Sequence, residues 1–160
     1  MTGTRLWPRD AGSLGPVMTL MEAGFAPDFG ERWSATQLAN LLASDPSSWI
    51  ATDDGALPDG FALARTVLDE AELMLLAVRP SARRRGLARR LVDAIAEQAR
   101  SRGARRLFAE VRDGNDAMQL YSAMGFRVVG RRPRYYRGRD GQAHDALTVQ
   151  LLLKSIGDED

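Results

Sequence analysis

The stretch Leu75-Leu76-Ala77-Val78-Arg79-Pro80-Ser81-Ala82-Arg83-Arg84-Arg85-Gly86-Leu87-Ala88-Arg89 places an apolar segment, three consecutive arginines and a glycine directly ahead of an amphipathic run. A helix start offers unpaired backbone N–H groups and the positive end of the helix dipole. Gly86 and the small Ala88 would let a phosphate approach that backbone closely. The segment is therefore expected to cradle a diphosphate, although three arginines and a glycine in isolation would suit a solvated turn better. Two other phosphate motifs are absent: no Gly-Lys precedes Ser or Thr as in a Walker loop, and no three spaced glycines form a dinucleotide fingerprint.

A second cluster runs Glu110-Val111-Arg112, Gly114-Asn115, Leu120-Tyr121 and Gly125-Phe126. A carboxylate at the end of one strand and a phenol on the following helix can face one another across a cleft, the first taking a proton and the second giving one. Without the arginine loop before them, Glu110 as a surface carboxylate and Tyr121 as a core aromatic would serve as well. The chain has no cysteine, so neither a covalent cysteine intermediate nor a thiolate metal site can form. A single His144 has no partner spacing and is assigned to structure or surface, and no metal is expected.

Positioning these groups requires the elements around them. Leu14 to Ala23 has helical spacing and ends near Gly24. Ser34 with Gln37 forms a capping box ahead of Leu38, Leu41 and Leu42, and Asp45-Pro46 breaks that second helix. Trp49 to Thr52, a turn at Asp53-Asp54-Gly55, Phe61 to Val67 and Glu72 to Val78 are expected strands. Leu87, Leu91, Ile95 and Ala99 recur every fourth residue opposite an Arg- and Glu-bearing face, and Gly103 ends this helix. A strand at Leu107 to Val111, a short helix at Ala117 to Met124 stopped by Gly125, and strands at Phe126 to Gly130 and Ala146 to Leu153 complete the pattern. The stretch from Arg131 to Arg139 is expected to be a basic loop, and the tail from Gly157 to fray. Strand, helix and strand around residues 72 to 111 imply a parallel crossover inside a mainly antiparallel sheet.

Composition sets the limits. With 160 residues, 44% hydrophobic and 27% charged, the chain suits one compact domain, residues 1–160. Lys and Arg number 22 against 21 Asp and Glu, a net charge of +1, which provides no broad field for gripping nucleic acid. No apolar run approaches the roughly 20 residues that cross a bilayer, and the first residues lack the order of a signal peptide, so a cytoplasmic protein without a membrane partner is expected.

Arg83-x-x-Gly86-x-Ala88 after a strand ending in Val78 resembles the Q/R-x-x-G-x-G/A signature of the GNAT acetyltransferases. The resemblance extends through Trp33-Ser34, Val67-Leu68-Asp69-Glu70-Ala71, Ala77-Val78-x-Pro80, Arg84-Arg85-Gly86-Leu87, Glu110-Val111-Arg112, Leu120-Tyr121, Gly125-Phe126, Tyr135-Tyr136 and Asp145-Ala146, which are similar in order and type to the RimI branch. It implies an α/β (α+β) GNAT fold: a mixed, mainly antiparallel twisted sheet with a central parallel strand-helix-strand crossover, flanked by helices.

The same resemblance implies acetyl-CoA as co-substrate, contacted by Leu76, Ala77, Val78, the loop of Arg83, Arg84, Arg85, Gly86, Leu87, Ala88 and Arg89, and Asn115. It implies Glu110 as proton acceptor and Tyr121 as proton donor; by its place at the start of the preceding strand, Glu72 is the second candidate for the base. Tyr135 and Tyr136 would flank the acceptor, the N-terminal alanine of a small-subunit ribosomal protein. Two departures stand out: the Asn-to-Tyr interval is one residue short, so that Asn115 is displaced or Gly114 takes its place, and Arg131-Arg132-Pro133-Arg134 is one residue long. A GNAT acting on a small amine and a non-catalytic acyl-CoA-binding module are the competing readings. The basic 131–139 stretch argues against a cationic small substrate, and the pairing of Glu110 with Tyr121 against a silent module.

Overall fold

A computed structural model describes residues 3–24, 33–138 and 141–154. Among them the chain runs β1 (Thr4–Trp7), α1 (Gly15–Gly24), α2 (Ala35–Ser44), β2 (Ser48–Asp53), β3 (Gly60–Val67), β4 (Glu70–Val78), α3 (Leu87–Ser101), β5 (Arg106–Arg112), α4 (Ala117–Ala123), β6 (Arg127–Arg137) and β7 (Ala143–Leu152). The strands form one sheet in the order β1-β2-β3-β4-β5-β7-β6. Every neighbouring pair is antiparallel except β4 and β5, which the α3 crossover makes parallel. This is the GNAT fold that the sequence leads one to expect.

Each face of the sheet carries its own core. Alternation along β2 and β3 sends Trp49, Ala51, Ala62 and Ala64 towards Leu91, Val92 and Ile95 of α3, while Ile50, Phe61 and Leu63 meet Val17, Leu20 and Met21 of α1 and Leu38 of α2. The Ser34 and Gln37 capping box forms as expected, with Gln37 N on Ser34 Oγ at 3.1 Å and Ser34 N on Gln37 Oε1 at 2.8 Å. Gly103 ends α3 at φ +93°, and the Ala104 N–H closes the turn on Ala99 O at 2.9 Å.

β4 changes phase part-way along. Ala64 pairs with Leu73 and Leu63 with Leu75, which leaves Met74 as an extra residue. Ala71 and Leu73 face the α3 side, Met74 and Leu75 both face the α1 side, and Leu76 returns to α3. Pairing with β5 stops at Leu73 and Ala109, so the two parallel strands part where the bulge begins.

Three expectations are corrected. β1 was not foreseen: it is a four-residue edge strand with three exposed positions, too short to show alternation. The stretch from Arg131 onward is not a loop, because β6 continues to Arg137. Nearly all its residues are exposed, so no apolar period marks it. β7 accordingly begins at Ala143 rather than Ala146. The end of the basic stretch at Arg139 and the tail from Gly157 lie outside the described residues. No helix among the described residues is long and apolar enough to cross a membrane.

Candidate active site

The parting of β4 and β5 opens a cleft of about 1030 Å³. Beyond Leu73, the backbone groups of β4 that face β5 have no strand partner there. At the far end of β4 the chain turns through Arg84, a non-glycine residue at φ +63°, and Gly86 at φ +76°, into α3. No side chain caps α3, so its first N–H groups are left for a ligand. A Cβ built on Gly86 would find no heavy atom closer than Arg90 Nη1 at 3.8 Å, so the approach to this backbone is open. These features fit a diphosphate.

Arg83 plays a different part from its neighbours. Its Nε donates to Val78 O at 3.1 Å and its Nη2 to Gly24 O at 3.2 Å, tying the end of β4 to the end of α1. There the two elements are in close contact: a Cβ on Gly24 would lie 2.7 Å from that of Ala77.

Glu110 and Tyr121 enter the cleft from opposite faces of the sheet. On β5, Leu107, Ala109 and Val111 pack into the α3 core, so Glu110 projects to the other side. Tyr121 belongs to the α3-side core, 5% exposed, with its ring 5.1 Å from that of Phe126. The parting of β4 and β5 joins the two sides, and both residues line the cleft. Glu110 Oε1 is buried without a hydrogen bond, and the Arg132 Nε lies 3.7 Å from it. Glu72 sits elsewhere, held by Arg65 Nε at 3.1 Å and Nη2 at 3.0 Å, and it does not line the cleft.

Across β7, β6 shifts register between Val128 and Gly130 and again, more widely, between Arg132 and Tyr136. Arg132 pairs with Ala146 and Tyr136 with His144, so β6 spends four steps where β7 spends two. Arg134 takes φ +57° in this bulge and donates its N–H to Asp145 Oδ1 at 3.0 Å. Asp145 Oδ2 accepts from Arg131 Nη1 at 2.6 Å, and Arg131 also reaches Asp113 at 3.0 Å. The Arg134 N–H and then the Arg131 guanidinium hold the Asp145 carboxyl below its ordinary value, and Asp145 and Asp113 raise that of Arg131.

A family model described as the acetyltransferase (GNAT) family matches residues 16–126. The chain belongs to that family. It is 35% identical over 133 residues to the [ribosomal protein bS18]-alanine N-acetyltransferase of Escherichia coli strain K12, covering 82% of this chain and 80% of that one. It is 39% identical over 94 residues to the enzyme of the same name from Haemophilus ducreyi, covering 58% of this chain and 65% of that one. The crystal structure of the ribosomal-protein-S18-alanine N-acetyltransferase from Escherichia coli matches with a TM-score of 0.84 and 26% identity, over 100% of this chain and 99% of that one.

Within this GNAT cleft the expected site residues are mostly brought together. Leu76, Ala77, Val78, Arg83, Arg84, Gly86, Leu87, Ala88 and Arg89 line it together with Glu110, Asn115, Tyr121 and Tyr136. Arg85 and Tyr135 are not among the lining residues. Asn115 and Gly114 both border the cleft, and Asn115 Oδ1 accepts the Ala117 N–H at 2.9 Å at the start of α4. Tyr135 is half exposed and meets Tyr136 edge to face at 5.1 Å. His144 pairs with Tyr136 across the β6–β7 ladder. Sequence reasoning missed Arg132, whose approach to Glu110 spans β7 and leaves no local signal. Among the described residues no cluster of His, Cys, Asp and Glu is placed to hold a metal ion.

Proposed function

We propose that this chain is a RimI-type N-alpha-acetyltransferase, moving the acetyl group of acetyl-CoA to the N-terminal alanine of ribosomal protein bS18. The observation that carries the reading is that Glu110 and Tyr121 open into the same cleft as the uncapped start of α3. The similarity to the bS18-alanine enzymes of Escherichia coli and Haemophilus ducreyi supports the acceptor.

Acetyl-CoA supplies an acetyl group activated as a thioester. The backbone of Gly86, Leu87, Ala88 and Arg89 would hold its diphosphate, with Arg84 adding charge and Arg85 acting only from the rim. Leu76, Ala77 and Val78 would offer unpaired backbone groups along the arm, and Asn115 the far wall. Glu110 takes the proton from the attacking amine, and the Tyr121 hydroxyl gives one to the departing thiolate. An α-amine has a pKa of about 8 against about 10.4 for a lysine, so the lysine costs roughly 3 kcal/mol more to deprotonate at neutral pH. An N-terminal acceptor therefore needs only a modest base, such as one carboxylate.

Residues 1–160 would act as a single GNAT domain in the cytoplasm, with acetyl-CoA and the bS18 N-terminus as partners and neither nucleic acid nor membrane required. The test is thiol release from acetyl-CoA offered with the bS18 N-terminal peptide, the same peptide blocked at its α-amine but carrying free lysines, and polyamines. Turnover confined to the free α-amine supports the reading. Faster turnover on the blocked peptide or on polyamines overturns the acceptor and favours a small-amine enzyme.

A further inference from the structure

We infer that Arg132 is a positioning residue for Glu110, holding the buried carboxylate oxygen by charge so that the rest of the carboxylate is presented to the cleft as the base. The inference rests on Glu110 being the base. A buried carboxylate oxygen without a hydrogen bond is costly, and folded proteins rarely keep one without a use. Glu110 Oε1 is such an atom. A cation facing it is Arg132, whose Nε at 3.7 Å lies beyond hydrogen-bonding distance but within ion-pair distance. A hydrogen-bonded partner, such as Arg65 on Glu72, would occupy the lone pairs that a base must offer.

The surroundings of Arg132 are arranged for this distance. Glu110 pairs with Thr148 across the β5–β7 ladder and Thr148 with Gly130 across the next, so the β6 residue in line with Glu110 has no side chain. Arg132, two positions on, reaches over β7 through that gap. Its guanidinium lies over the Tyr135 ring, 5.3 Å from the centroid. The backbone that aims it is fixed by the bulge, where Asp145 holds both Arg131 and the left-handed Arg134. Tyr135, absent from the cleft wall, thus acts one step back, by steadying the arginine that faces the base.

A kinetic double-mutant cycle tests this, with kcat and both KM values measured for the bS18 peptide and acetyl-CoA. Glu110→Gln should lower kcat by about a hundredfold, in the range for loss of a general base. Arg132→Met should lower kcat by roughly tenfold with both KM values little changed, and Arg132→Lys should restore most of it because charge is what matters. In the Glu110→Gln background, Arg132→Met should cost nothing further. Arg132→Gln serves as the uncharged variant if Arg132→Met melts early. An equal loss from Arg132→Met in both backgrounds, or a loss confined to peptide KM, overturns the positioning role while leaving Glu110 as base. Full activity in Glu110→Gln overturns both.

Discussion

Arg83 binds Gly24: its guanidinium donates to the carbonyl that ends α1 while also holding Val78 O at the end of β4. The arginine that opens the GNAT signature is therefore occupied with main chain, and its neighbours are left to meet the diphosphate. Arg83→Met should lower stability by about 1–3 kcal/mol, the usual range for lost hydrogen bonds from a charged donor. Acetyl-CoA affinity should weaken by less than tenfold, with an unchanged salt dependence, because no phosphate contact has been removed. Urea unfolding and calorimetry at two ionic strengths check both parts. A marked fall in the salt dependence would show that Arg83 contacts the diphosphate directly.

Gly86 is constrained by conformation rather than by crowding. A Cβ there meets only an ordinary contact with Arg90 Nη1 at 3.8 Å, yet φ is +76°. Gly86→Val should therefore cost about 1–3 kcal/mol in backbone strain and place a branched side chain where the diphosphate must approach. Calorimetry should show acetyl-CoA binding lost in a protein whose circular dichroism is largely native. Gly86→Ala should fall between the two. Unchanged affinity in folded Gly86→Val would remove the loop from the cofactor site.

How much of this was legible depended on whether the determining contact was local. The loop from Arg83 to Ala88 and the capping box at Ser34 are written in consecutive residues, and both form where expected. The bulge at Met74 was invisible, because Ala71 to Val78 is apolar apart from Glu72 and a change of phase in such a run leaves no pattern. β6 was shortened for the opposite reason: it is exposed on both faces, and its arginines with Pro133 give no alternation. That misreading placed Tyr135 and Tyr136 as equals, whereas the bulge brings Tyr136 to the cleft and leaves Tyr135 outside. Arg132 beside Glu110 is a contact across two ladders, beyond any reading by spacing.

Asp145 links this bulge to pH. Its carboxyl lies below the ordinary value first through the Arg134 N–H and then through Arg131, so its contribution is present above the unfolded value of about 3.9 and is lost as pH falls through the lower folded value. The wild-type protein should therefore lose stability through that acid window more steeply than Asp145→Asn, whose stability is lower at neutral pH. Asn can still accept the Arg134 N–H, so the bulge should survive in the variant while the ion pair with Arg131 does not. Thermal melts from pH 7 downward follow the difference, and parallel curves for the two proteins would remove Asp145 from the linkage.

The two adjacent tyrosines should separate in their effects on the acceptor. Tyr136 lines the same cleft as Glu110, whereas Tyr135 is half exposed, is not among the lining residues and has the Arg132 guanidinium over its ring. An aromatic wall beside the attacking amine leaves room for a methyl side chain more readily than for a branched one. Removing Tyr136 should therefore relax the choice of first residue. With peptides differing only at that residue, Tyr136→Ala should narrow the kcat/KM preference for Ala over Leu by about tenfold, the scale of one or two methylene groups in a pocket. Tyr135→Ala should keep the wild-type preference and lose only a few-fold in kcat for both peptides, as expected of a residue that steadies Arg132. Mass spectrometry of competing peptides in one reaction measures the ratio directly. A collapse of the preference in Tyr135→Ala, with Tyr136→Ala unaffected, would reverse the assignment of the two side chains.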